Sequence, residues 1–199
     1  GYTPQSVRGS KAYVDLTITP TDTPATIVIE KNTQFSSSVG GISYLFGTSN
    51  SVTLNVNSNG VYTTANVELN QGIPLTHKYT ANTKSPDQQF LLPNSNTDTS
   101  TLTVQIQTSA EDSTTFTYAM ANDTTAVTAT SNVYFLEESE DGKYEVLFGD
   151  NVIGRKPVTG NVILLSSMVA DADNPNGAAT FAPVSSVGGY STVSVSTLG

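Results

Sequence analysis

Apolar residues in this chain recur at every second position in run after run, and nowhere at every third and fourth over ten or more residues. Ala12, Val14, Leu16 and Ile18 alternate with Tyr13, Asp15, Thr17 and Thr19; Val52, Leu54 and Val56 alternate with Thr53, Asn55 and Asn57; Leu102, Val104 and Ile106 alternate with polar Thr and Gln. A period of two is that of a strand with one buried face, whereas an amphipathic helix needs 3.6. Thr, Ser and Asn dominate the polar positions, which favours strands and turns over helix interiors. The predicted fold class is therefore mainly β, with antiparallel sheets packed sandwich-like in two lobes and little helix. Only 84–90 and 109–113 read as short helical candidates, both weak. No repeat of fixed period points to a solenoid or propeller.

Turn residues punctuate the runs. Gly40-Gly41 predicts a tight bend before the apolar stretch Ile42–Phe46. Ser58-Asn59-Gly60 predicts a hairpin pairing 51–57 with 61–69. Ser139–Gly142 reads as a polar tip joining 132–137 to 144–148. Pro93 and the Asn/Ser/Thr cluster after it read as a connector, which divides the chain into a first β lobe, 1–93, and a second, 94–199. Whether 165–199 returns to the first lobe is left open by the pattern. The chain opens on Gly1 and is read as a segment of a longer polypeptide.

Composition narrows the function classes. The 199 residues carry a formal net charge of −9 and only 13% charged side chains. An acidic surface repels phosphates, and Arg155-Lys156 is the only basic pair, so no nucleic-acid partner is expected. No apolar stretch reaches the roughly 20 residues that cross a bilayer as a helix, so no membrane partner is expected. The absence of cysteine removes disulfides, thiolate metal sites and thiol nucleophiles.

Chemistry-bearing residues are sparse. His77 is the single histidine, without a Gly-x-Ser-x-Gly elbow, and reads as a surface residue. Glu137, Glu138, Glu140 and Asp141 read as a solvated turn rather than a glycosidase pair, which needs two carboxylates held across a cleft. Asp171–Gly177 offers Asp and Asn oxygens, but lacks the glycine and the terminal glutamate of a calcium-binding loop. Gly40-Gly41, Gly149 and Gly154 lack the Gly-Lys-Ser/Thr that would make a phosphate cradle. The expectation is no catalytic residue, no cofactor and no metal.

The longest specific pattern lies at 144–165. Tyr144, Val146 and Phe148 alternate with Glu145 and Leu147; Gly149-Asp150-Asn151 breaks the run, Gly154 permits a second bend, and a new strand starts at Val162. This predicts a hairpin over 144–165 whose tip is fixed by two glycines. Phe148-Gly149-Asp150-Asn151 with Gly154-Arg155 and, further on, Gly160 resembles the Phe-Gly-Asp-Gly-x-x-Gly-Arg/Lys hallmark of the baseplate J-like family, which includes baseplate wedge proteins of T-even-like contractile-tail phages. Other segments are similar to that family in the same order: Ile29–Phe35, Gly41–Phe46, Phe90–Asn94, Asp98–Val104 and Asn176–Ala178 with Phe181. The likeness covers roughly 12–182. Asn151 departs from the usual glycine, and asparagine tolerates the left-handed conformation that such a turn needs.

The resemblance implies a structural, non-enzymatic component of a phage tail baseplate. It would hold wedges in a ring around the hub and transmit rearrangement to sheath contraction, in contact with other wedge proteins and with copies of itself, in the virion. Phe148, Gly149, Asp150, Gly154, Arg155 and Gly160 would be its structural motif, with Arg155 a candidate contact to a neighbour. The alternative is a receptor- or carbohydrate-binding β module of a phage tail, for which Tyr13, Tyr44, Tyr62, Tyr79 and Tyr134 are the candidate aromatic platform.

Overall fold

The computed structural model describes residues 6–85, 87–171 and 175–198. The chain is mainly β, as its alternation predicts, and its strands form two large sheets that are each nearly closed and barrel-like. The helical candidate at 109–113 forms no helix, nor do the described residues of the candidate at 84–90, of which 86 lies outside them; among the described residues the one helical element is a single 3-10 turn at Glu140–Gly142. The strands divide between two compact units, one built from 9–74 and 168–199, the other from 1–8 and 75–167.

The first of these units contains β1 (Lys11–Ile18), β2 (Thr26–Ile29), β3 (Gln34–Val39), β4 (Ile42–Thr48), β5 (Val52–Asn55), β6 (Tyr62–Gln71), β14 (Ala182–Pro183) and β15 (Val193–Thr197). Its sheet runs β14-β3-β4-β6-β1-β15, with β2 and β5 as a separate antiparallel pair. Alternation decides the inner face: Val14, Leu16 and Ile18 of β1 are each fully buried, with Phe35, Phe46, Tyr62 and Leu69 in the same core. Phe46 meets Phe181 edge to face at 5.0 Å. The sheet's ends approach one another where the Thr197 hydroxyl donates to the Ala179 carbonyl, 2.6 Å, just before β14. Buried Gln71 is satisfied by Asp171, donating through Nε2 at 3.0 Å and accepting from the Asp171 amide at 3.2 Å.

The second unit holds β8 (Leu91–Leu92), β9 (Thr97–Gln107), β10 (Thr115–Met120), β11 (Val133–Glu138) and β12 (Tyr144–Phe148). Strands β7 (Ile73–Thr80) and β13 (Val162–Val169) belong mostly to it and carry the chain across the division at 74/75 and 167/168. Its sheet runs β7-β13-β9-β10-β11-β12-β8. The pairs with resolved register are antiparallel except β10 with β11, which is parallel. Leu92, Val104, Tyr134, Val146, Ile163 and Leu165 form its core. End strands β7 and β8 are tied by the Tyr79 hydroxyl, which donates to the Leu91 carbonyl at 2.6 Å, and by the Tyr79–Phe90 ring pair at 5.8 Å.

Three sequence expectations are corrected here. The lobes do not divide at 93/94. The Asn94 stretch is a local turn, in which the Asn94 side chain accepts from the Asn96 amide and its carbonyl from the Thr97 amide, and it keeps both β8 and β9 in one sheet. The segment 168–199 lies in the unit formed by 9–74. Stretches 51–57 and 61–69 do not pair along their length as a hairpin: β5 pairs with β2, β6 pairs with β1 and β4, and the two stretches meet only beside the turn, at the Val56–Tyr62 bridge and the Asn57–Val61 hydrogen bonds. Nor is 144–165 a hairpin. Both edges of β12 are taken, by β11 and β8, so β13 finds its partners elsewhere in the sheet. By contrast, Gly40-Gly41 and Ser139–Gly142 do reverse the chain between the antiparallel pairs β3–β4 and β11–β12.

Candidate functional site

Between β12 and β13 the chain makes a compact double turn from Phe148 to Gly160. Phe148 anchors it: its ring lies edge to face with Phe90 at 5.5 Å and with Tyr118 at 5.6 Å. Such pairs contribute about 0.5–1.5 kcal/mol each beyond the area they bury.

The turn closes on itself at Gly149 and Gly154. A Cβ at Gly149 would lie 2.2 Å from both the carbonyl carbon and oxygen of Gly154 and 2.4 Å from the Ile153 oxygen, so no other residue fits without moving backbone. Gly154 has φ +86°, and a Cβ there would lie 2.8 Å from a Val133 methyl. Between them Asn151, at φ 70°, donates its amide to the Gly154 carbonyl at 2.9 Å. Asparagine thus holds a left-handed conformation, as its short polar side chain allows. Its Oδ1 also accepts from the Lys156 amide at 2.9 Å.

Asp150 braces the same loop. One carboxylate oxygen accepts from the amides of Val152, at 2.8 Å, and Ile153, at 2.9 Å. These bonds favour the charged form and hold its pKa below the ordinary aspartate range, the Ile153 amide contributing most and the Val152 amide next, with Lys156 adding a smaller attraction. The turn is then stitched to its unit. The Gly154 amide donates to the Thr128 carbonyl at 3.0 Å, and the Arg155 amide to the Ser131 carbonyl at 2.9 Å. Gly160, at φ +95°, donates to the Ala81 carbonyl at 3.0 Å.

All six sequence-predicted motif residues therefore belong to one braced loop and its base. Arg155 is anchored through its backbone while its side chain is exposed, with its charge acting on Tyr118; burial raises the Tyr118 pKa and Arg155 opposes that rise. What the sequence did not reveal is what the turn displays. Its amides from Asn151 to Lys156 are all engaged, yet Val152 is 71% exposed, Ile153 45% and Val158 60%. Beside the tip lies an open pocket of about 220 Å³, lined by Phe90, Phe148 and Pro157 and by the polar Asn82, Gln88 and Lys156.

The other candidates do not converge. His77 is half-buried rather than a surface residue, with Nε2 lacking a hydrogen-bond partner among the described residues. Glu137, Glu138, Glu140 and Asp141 are all exposed, and Lys143 approaches Asp141 at 3.9 Å, the geometry of a solvated turn. The Asp171–Gly177 loop includes 172–174, which lie outside the described residues. The five candidate tyrosines form no common exposed platform. Tyr44, Tyr62 and Tyr134 are buried, Tyr79 is half-buried against Phe90, and only Tyr13 is exposed, its hydroxyl donating to Glu68. Among the described residues no group of three or more His, Cys, Asp or Glu is placed to hold a metal ion.

No family model matches the chain, and no curated protein matches it in sequence.

Proposed function

We propose that this chain is a structural segment of a contractile-tail baseplate wedge, whose work is to be stiff and to be held by neighbours. The observation that carries the reading is how the Phe148–Arg155 motif uses its residues. Phe148 is an anchor, Gly149 permits backbone contact, Asp150 and Asn151 bond main-chain amides, and Gly154 turns the chain. Each motif residue so engaged serves geometry and rigidity, which is what an assembly scaffold asks of a turn. The ordered resemblance over 12–182 supports the same reading. In it, the partners are other wedge proteins and further copies of this chain, and the place of work is the virion tail.

The test is to express the whole protein with a T-even-like tail assembly system and locate it by electron microscopy. Density for this chain in the ring around the hub, and tails that stop before ring closure when Gly149 is replaced by alanine, are the expected results. Complete, contractile tails assembled in its absence would end the proposal.

A further inference from the structure

A turn whose amides from Asn151 to Lys156 are all hydrogen-bonded has no internal need for branched apolar side chains at its tip. Asp150 bonds the amides of Val152 and Ile153, and those bonds form whatever side chains the two residues carry. Yet the tip and its flank place Val152, Ile153 and Val158 in water. The neighbouring pocket, about 220 Å³ in volume and open to solvent, has a mixed lining in which Phe90, Phe148 and Pro157 supply apolar surface beside the polar Asn82, Thr83 and Gln88. Small-molecule pockets usually enclose roughly 300–1,000 Å³. This one suits a single aliphatic anchor.

We propose that this surface is a self-association site, in which the Val152–Ile153 tip of one copy enters the Phe148-lined pocket of a second copy and receives that copy's tip in return. Three observations select a second copy as the occupant. Tip and pocket belong to one patch, since Gly149, Lys156 and Pro157 line the pocket and flank the tip. A two-fold contact requires this of a surface, because the same patch must supply both halves. Charge is also self-complementary. The Asp150 carboxylate sits at the base of the tip, and Lys156 lines the pocket with no carboxylate within 4.0 Å of its ammonium among the described residues. Lys156 attracts Asp150 of its own copy without a close ion pair, and a two-fold arrangement sets each of these charges facing its opposite on the second copy as well. Finally, the tip is pre-organised by the Asp150, Asn151 and Gly154 bonds, so little conformational freedom is lost on docking.

The patch is a fraction of the roughly 1,200–2,000 Å² of a stable interface. The dimer is accordingly weak in free solution, with a dissociation constant on the order of 100 μM, and tightens where copies are held side by side. The inference rests on this unit's surface alone and stands or falls apart from the baseplate reading.

Sedimentation equilibrium of the 199-residue chain tests it, alongside Val152→Ser and Lys156→Glu, with circular dichroism to check that each variant stays folded. Both substitutions fall on exposed side chains. A reversible dimer whose dissociation constant rises about tenfold or more in each variant is expected. A wild-type chain that stays monomeric at about 500 μM, or variants that dimerise as it does, overturns the proposal. The chain has no cysteine, so single replacements report geometry directly. Val152→Cys mixed with Ser85→Cys, at the pocket rim, is expected to give the mixed disulfide in excess over either homodimer. An excess of the Val152→Cys homodimer would mean tip-to-tip contact and would equally overturn it.

Discussion

Replacing Gly149 with alanine tests the geometry on which the reading of the turn depends. Gly149 does not need left-handed backbone; it needs the absence of a side chain. The added Cβ would meet Gly154 carbon and oxygen at 2.2 Å and the Ile153 oxygen at 2.4 Å. All three are backbone atoms, so no rotamer change relieves the contact. Overpacking that side chains can absorb costs about 1–3 kcal/mol. Here the backbone must part, which takes the upper end of that range and also opens the Asn151–Gly154 hydrogen bond, about 1 kcal/mol more. The sum is about 4 kcal/mol, or a fall in Tm of roughly 8–16 °C for a chain of this size. Two neighbours supply the controls. Gly154→Ala incurs the left-handed penalty and presses on a Val133 methyl that can rotate away, about 2–3 kcal/mol. Gly160→Ala incurs only the left-handed penalty, about 1–2 kcal/mol, because no atom lies within 4 Å of its added Cβ. Urea denaturation followed by circular dichroism, read on the transition of the 75–167 unit, should rank the losses Gly149, Gly154, Gly160. A Gly149→Ala variant at least as stable as Gly160→Ala would refute the closed turn.

Asn151 and Glu68 give two further checks. Asn151→Gly should be neutral within about 0.5 kcal/mol, since it relieves the left-handed conformation but removes the acceptor for the Lys156 amide, whereas Asn151→Ala should cost about 1–2 kcal/mol; equal urea midpoints for the two variants would contradict the assigned φ. Burial opposes ionisation of Glu68, but hydrogen bonds from Lys11, Ser49 and Tyr13, with the Lys11 charge, prevail and lower its pKa in the fold. A depressed carboxylate pKa stabilises the fold above the unfolded value of about 4.3, and that contribution is lost as pH falls through the lower, folded pKa. The pair is partly exposed, so the effect is only about 0.2–1 kcal/mol. Glu68→Gln should lessen the loss of urea stability between about pH 6 and pH 3 by that amount, and an unchanged acid decline would count against it.

Much of the strand content was legible in advance because alternation reports which face of a strand is buried. Ala12–Ile18, Leu102–Gln107 and Tyr144–Phe148 fall within β1, β9 and β12, and Val14, Leu16, Ile18, Val104 and Val146 face cores. Alternation says nothing about which strand lies alongside. That is why 51–57 with 61–69, and 144–148 with 162–165, read as hairpins but do not pair along their length. A turn signal marks a reversal of local direction, and the reversed chain can still leave its neighbour for another partner. The Asn94 turn misled in the opposite sense, since turn composition alone does not distinguish a linker between units from a bend inside one.

For the site, the sequence by itself determined the braced turn. Two glycines, a carboxylate able to cap main-chain amides and an asparagine tolerant of positive φ interact within a few residues of one another, so local geometry is written locally. Only the tertiary structure decided what that turn faces. The pocket lining takes Phe90 from β8's approach and Val146 and Phe148 from β12, and the bonds to Thr128, Ser131 and Ala81 come from segments far along the chain. Burial and exposure arise from those distant pairings. The exposure of Val152 and Ile153, which in the sequence look like any core residues, is therefore a property of the folded sheet and not of the turn's own residues.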